Sequence, residues 1–348
     1  MRASTSVYLD AARFIAACVV YLGHASRNWA TGDLFPTFRA YDQTAVIVFF
    51  IISGFVIAEV APRSTAARYV VDRLTRLYAV AVPAALLTVL ATAIVLYGGS
   101  PLSQGQFQVD PWNETARLIT SLLFLNRAWL LAMEPSTNIP WWSISYEFFY
   151  YALFFALFYL RRSALGIVLA VLIAGIAGPR VIALLPLWLL GFLLHRLCRD
   201  GGPKVGLAAA LSIGLAGAFM VLVAPKFRWA FPIELGPWIR PMLLGDYCAG
   251  VGFALTVFAV HALPGGFWPS LPSLVAAVRW LASLTFALYL FHFPIMVMIC
   301  ALFPGEPQDG LRRLLVVALP FAFVLATGRW CERARLPLRR LLMARFGT

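Results

Sequence analysis

Charged side chains are what this sequence has least of: Asp, Glu, Lys and Arg make up 12% of its 348 residues, whereas 61% are hydrophobic. A soluble globular chain carries about 25% charge, so that class is excluded and the sequence reads as an integral membrane protein. Long polar stretches are equally scarce. At roughly 20 residues per crossing, the apolar runs consume the chain and leave no room for a large soluble catalytic module. Cysteine is sparse as well, with five residues at 18, 198, 248, 300 and 331 in or beside apolar runs and no C-x-x-C spacing. Neither a zinc site nor a disulfide framework follows, and no metal is expected. No repeat of fixed period is visible, which leaves one membrane domain, residues 1–335, followed by a basic tail, residues 336–348.

What is present is a series of apolar runs near residues 9–29, 43–60, 74–97, 141–160, 164–178, 181–198, 205–224, 240–261, 276–302 and 311–331. They predict an all-α bundle of about ten transmembrane helices. A further stretch, 115–131, is broken by Arg117, Asn126 and Arg127 and reads as an interfacial or re-entrant helix. Just ahead of it, Asn113-Glu114-Thr115 matches a glycosylation acceptor, but Asn113 or Thr115 as a helix cap explains it better. Gly98-Gly99-Ser100-Pro101, Gly201-Gly202-Pro203 and Pro264-Gly265-Gly266 mark loops. The net charge of +13 bears on orientation before nucleic acid, and no nucleic-acid partner is expected. With the amino terminus inside, 17 of the 28 basic residues fall on inner segments and 10 on outer ones, so both termini are expected in the cytoplasm. The basic tail then meets anionic lipid. The first run, interrupted by Arg13 and His24 and followed by no A-x-A pattern, is expected to stay as a span rather than to be cleaved.

Ionisable residues within spans carry the chemistry, because each costs at least about 2.5 kcal/mol at mid-bilayer and normally faces a partner or a wet cavity. Arg13 and His24, 11 residues apart, share one face of the first helix and stand roughly 16 Å apart along it. Depths taken from the span limits put His24, Glu147 and Asp246 in one outer layer. Arg13, Arg73 and Arg76 fall in a cytoplasmic layer, with Asp10 and Asp72 near enough in sequence to orient them, and Ser53 and His292 lie midway. This distribution suits an anion held by guanidinium groups on the inner side and a proton-transfer site further out. Plainer readings compete with it: Arg73 and Arg76 as positive-inside anchors, Arg13 paired with Asp10, and His24, His292 and Asp246 as structural hydrogen-bonding residues. Glu147 resists such a reading, since it lies one to two turns deeper than the Trp141-Trp142 belt. His195 and His261, at span ends, read as structural.

The residues then resemble a known family. Leu9-Asp10-Ala11-Ala12-Arg13 through Gly23-His24 is similar to an Arg, ten residues and a His, which opens the membrane-bound acyltransferase family 3 proteins. Phe49-Phe50-Ile51-Ile52-Ser53-Gly54-Phe55 resembles that family's F-F-x-x-S-G-F segment, and Arg73-Leu74-Thr75-Arg76 its R-x-x-R. Trp142-Ser143-Ile144-Ser145-Tyr146-Glu147-Phe148-Phe149-Tyr150 resembles W-S-L-x-x-E-x-x-Y, and Leu284 through Tyr289-Leu290-Phe291-His292 the late S-Y-x-x-Y-L-x-H element, with Thr285-Phe286 in place of Ser-Tyr. The family acylates bacterial surface and exported glycans and some antibiotics.

The resemblance implies a bacterial inner-membrane enzyme moving an acyl group, most often acetyl, from cytoplasmic acyl-CoA to a hydroxyl acceptor. It implies His24 as the catalytic position, Arg13 required with it, and Arg73 and Arg76 on the donor side. Some relatives carry an esterase-like domain after the last span, which is not expected here. On this reading His24 is a general base or a transient acyl carrier, and Glu147 orients its ring or deprotonates the acceptor. The small residues Ser53-Gly54 would let the pantetheine arm pass. The competing class is a multi-span transporter or flippase for a glycan or lipid-linked substrate, since polar residues at mid-bilayer also mark substrate pathways.

Overall fold

A computed structural model describes residues 2–100, 102, 107, 109–199, 205–230, 238, 242–264 and 271–345. Fourteen α-helices run through these residues, as expected where lipid offers the backbone no hydrogen-bond partner. They are α1 Ala3–Ala25, α2 Asn28–Thr31, α3 Pro36–Val60, α4 Ala66–Tyr97, α5 Pro111–Leu122, α6 Trp142–Tyr159, α7 Ala164–Ala177, α8 Pro179–Ile182, α9 Leu185–Arg199, α10 Leu207–Ala230, α11 Leu243–Ala262, α12 Pro272–Ser283, α13 Thr285–Leu302 and α14 Gly310–Arg345. Eight stretches among the described residues are long and apolar enough to cross a membrane: α1, α3 with the 3₁₀ turn after it, α4, α8 with α9, α10, α11, α13 and α14. The ten runs of the sequence reduce to eight because α6, though 18 residues long, is diluted by tyrosines and Glu147, and α7 has only 14 residues.

Several boundaries move. The run at 276–302 divides at Leu284 into α12 and α13. The stretch 115–131 is helical only as α5, which starts earlier than expected. Its N-cap is Asp110, whose carboxylate accepts from the Asn113 amide at 2.9 Å with Pro111 in the first turn, so Asn113 and Thr115 lie inside the helix instead of capping it. Residues 336–345, expected as a tail, continue α14, where Arg339 pairs with Asp72. Asp72, also within 3.9 Å of Arg68, is thus occupied elsewhere than by Arg73 or Arg76. The loops expected at Gly201-Gly202-Pro203 and at Gly265-Gly266 lie outside the described residues, as do residues 346–348.

The chain divides into two units. One comprises the chain to Ala16, Gln43–Thr65 and Pro179–Ala282. It is built on close backbone approach at glycines, the usual device where no hydrophobic force drives helices together in lipid. A Cβ on Gly54 of α3 would overlap the Trp188 carbonyl oxygen of α9, and one on Gly191 of α9 would overlap the Ile51 carbonyl oxygen of α3. Two of its polar residues tie helices together: His195 Nε2 stands 2.6 Å from Glu59, and His261 Nδ1 3.2 Å from the Thr5 hydroxyl.

The other unit comprises Ala17–Asp42, Ala66–Gly178 and the chain from Ser283 onward. Its centre is α13, buried along nearly its whole length and packed against α4 and α14, while α6 packs on α4 and α7. Prolines interrupt the helices around this centre. Pro294 in α13 leaves the Leu290 carbonyl without its usual i+4 amide, and the Asn138 side-chain amide donates to it at 3.1 Å. Pro320 in α14 likewise releases the Val316 carbonyl, which lies 3.4 Å from the Tyr21 hydroxyl; Tyr21 donates more closely to the neighbouring Val317 carbonyl.

Candidate active site

The second unit brings His24 and His292 into direct contact. Nδ1 of His24, at the end of α1, lies 2.9 Å from Nε2 of His292 on α13. The two ring planes are 12° apart with centroids at 5.1 Å. That separation is the N···N distance plus the two ring radii, so the rings meet edge to edge in a common plane and are not stacked face on face. On its other side, His292 Nδ1 lies 2.8 Å from the Leu288 carbonyl oxygen one turn earlier in its own helix. Both rings are buried. Aromatic edges wall them in: Tyr21 and Tyr289 stand against His292, and Phe293 stands perpendicular to His24 at 5.3 Å. Phe293 in turn packs with Trp29, Phe107, Ala91 and Val95.

Tyr289, one turn before His292, shares a 2.7 Å hydrogen bond with the Ser143 hydroxyl of α6. The W-S and Y-x-x-H elements of the sequence therefore meet in space. One turn along α6 from Ser143, the Glu147 carboxylate accepts from the Tyr151 hydroxyl and acts electrostatically on Tyr289. The Arg73 guanidinium of α4 lies 5.7 Å from the centroid of the Tyr151 ring, and Arg76 also acts on Tyr151. Tyr69 closes this locus by donating to the Tyr151 carbonyl at 3.2 Å. Among the described residues the Arg73 guanidinium makes no ion pair, and its buried Nε has no hydrogen-bond partner. A buried cationic donor without an acceptor is costly, and the group suits an anion.

The structure thus joins His24, His292, Tyr289, Glu147, Arg73 and Arg76 within one unit, with Glu147 between the two loci. The expected partnership of Glu147 with the His24 ring is corrected: that ring bonds His292, and Tyr151 takes the carboxylate. Depths read from span limits supply a position along a helix axis but not the direction in which a side chain points, and they separated His24 from His292, which touch. Arg13, Asp10, Ser53, Gly54 and Asp246 belong to the other unit. There Arg13 and Arg279 act on Asp10, Asp246 is buried in the first turn of α11, and Ser53 accepts from the Trp188 indole at 3.1 Å. Gly54 serves helix contact with α9, not the passage of a ligand arm. Asn138 was not singled out in the sequence; Pro294, inside an apolar run, was the available signal that a carbonyl beside His292 needed a partner.

Residues 6–328 match the profile of Acyl_transf_3, described as an acyltransferase domain. The chain belongs to the Acyl_transf_3 family. No curated protein and no solved structure matches it. The Acyl_transf_3 match takes in every residue of both loci and covers nearly the whole chain, so the protein is a multi-pass membrane acyltransferase whose domain is the membrane bundle itself.

Proposed function

We propose that this protein is an O-acyltransferase of a bacterial inner membrane that moves an acyl group, acetyl first, from cytoplasmic acyl-CoA to a hydroxyl of a surface or exported glycan. The observation that carries the reading is the bonded His24–His292 pair in the same unit as an Arg73 guanidinium that lacks an acceptor. Arg73 and Arg76 hold phosphate of the donor by charge-assisted hydrogen bonds. Along α4, Arg76 stands roughly 22 Å from Ala91, which packs with Phe293, the ring that stands against His24. The thioester of an extended donor therefore reaches the His24 locus while its phosphates stay at the arginines. On this reading Arg13 is required for activity and both termini face the cytoplasm.

His24 acts as general base. Its ring takes the proton of the acceptor hydroxyl as the oxygen attacks the thioester carbon. When the C–S bond breaks, the same proton passes to the leaving sulfur, giving an ester and CoA thiol with no net proton change. On the same reading the Tyr289–Ser143 hydroxyl pair, held by its 2.7 Å hydrogen bond, has the role of positioning the hydroxyl that reacts. The mass spectrum of envelope and exported glycans tests the proposal in cells. Replacing the native gene by a His24→Ala variant of equal membrane level should remove one acyl mass from one glycan. An unchanged acyl profile under expressing conditions contradicts the assignment.

A further inference from the structure

The two contacts that run through the histidine pair fix where its hydrogens are. A carbonyl oxygen only accepts, so His292 Nδ1, 2.8 Å from the Leu288 oxygen, carries a hydrogen. A neutral His292 then presents a lone pair at Nε2. The facing atom, His24 Nδ1 at 2.9 Å, must donate to it, which leaves the lone pair of His24 on Nε2. Nε2 of His24 has no hydrogen-bond partner among the described residues. The order Leu288 carbonyl, His292, His24 is therefore directional. Its origin is a backbone oxygen on a buried helix and its free end is a single basic nitrogen.

The setting of His292 supports this role. It is fully buried on the most enclosed helix of its unit, with Tyr21, Tyr289 and Phe293 against it. Asn138 bonds the adjacent Leu290 carbonyl released by Pro294 and holds the helix turn that carries His292. The near-coplanar rings keep the His24 imidazole from rotating.

We propose that His292 is the positioning residue of the reaction: it holds His24 in the tautomer whose Nε2 is the base, and its Nε2 accepts from the His24 ring while that ring carries the substrate proton. This rests on the acyltransferase reading of the site. In the step, the acceptor O–H proton moves to His24 Nε2 and the His24 Nδ1–H bond to His292 Nε2 tightens. Return of the Nε2 proton to the departing sulfur restores both rings. A neutral ring thus takes the place that a carboxylate occupies beside a catalytic histidine elsewhere. A carboxylate would add a fixed negative charge inside the bundle, at the cost of burying it.

The test uses the full-length protein in nanodiscs, with His292→Gln and His292→Ala. Glutamine can put a carbonyl oxygen where Nε2 stands, whereas alanine cannot. The ¹⁵N shifts of the His24 ring, read in wild type, should show hydrogen on Nδ1 and none on Nε2. His292→Ala should lower kcat for acyl transfer about 100-fold, leave KM for acetyl-CoA unchanged and scramble the His24 tautomer. His292→Gln should keep the tautomer and return kcat to within about tenfold of wild type. Hydrogen on His24 Nε2 in wild type overturns the proposal, and so does a folded His292→Ala variant with wild-type kcat. If alanine does not fold, the wild-type spectrum and the glutamine variant decide. Absence of acyl transfer in the wild type would instead sink the enzymatic reading, and the ¹⁵N result would still report on the pairing.

Discussion

At the scale of residues, two kinds of side chain matter most: a buried base whose partner is another histidine, and an arginine whose buried Nε has no hydrogen-bond partner among the described residues. Their roles separate kinetically. Arg73→Ala should raise KM for acetyl-CoA by about ten- to a hundredfold, corresponding to the loss of a charge-assisted hydrogen bond of about 1.5–3 kcal/mol, with kcat changed far less. Initial-rate kinetics on the purified variant check this; a fall in kcat at constant KM would move Arg73 away from donor binding. The residue types were legible in the sequence, since His24, His292, Tyr289, Glu147, Arg73 and Arg76 all stand out as polar groups in apolar runs. Their pairing was not. Spacing along a helix gives a height and a face, and only the packing of α1, α6 and α13 decides that His24 meets His292 while Glu147 meets Tyr151.

At the scale of elements, helix breakers and glycines are where sequence reasoning was least able to assign a purpose. Ser53-Gly54 looked like room for a ligand, but the missing Cβ of Gly54 is filled by the backbone of α9. Gly54→Leu is therefore expected to fail in folding before it fails in catalysis, at or above the upper end of the ~1–3 kcal/mol typical of overpacking. Thermal unfolding and the yield of monodisperse protein measure it, and a well-folded, inactive Gly54→Leu protein would restore the passage reading. Pro294 likewise reads as a mere interruption until the Leu290 carbonyl that it frees is seen to accept from Asn138. Asn138→Ala leaves that buried carbonyl unpaired and should cost about 1–3 kcal/mol, visible as a lowered Tm. An Asn138→Ala protein with the Tm of wild type would show that water or relaxation replaces the bond. The split of 276–302 into α12 and α13 is hard to read from hydropathy for a related reason: only Ser283 and Thr285 flank the break at Leu284, and single small hydroxyl residues also occur inside spans.

At the scale of the molecule, the class was plain from composition, because a chain with so little charge has no other way to bury its apolar surface than in lipid. The number of spans was less legible, since tyrosines and a glutamate in α6 and the shortness of α7 blur what counts as a crossing. The proposed orientation makes a direct forecast: a reporter at either terminus should be reached by an impermeant label in inverted membrane vesicles and protected in right-side-out cells. Labelling of either end from outside would put the arginine locus on the wrong side for a cytoplasmic donor. The central claim, acyl transfer based on His24, is tested most directly by following CoA thiol release from acetyl-CoA by the purified protein with and without a hydroxyl acceptor, wild type against His24→Ala. The account predicts acceptor-dependent release by the wild type, with a loss of at least about 100-fold in the variant. Equal release by both proteins would contradict it.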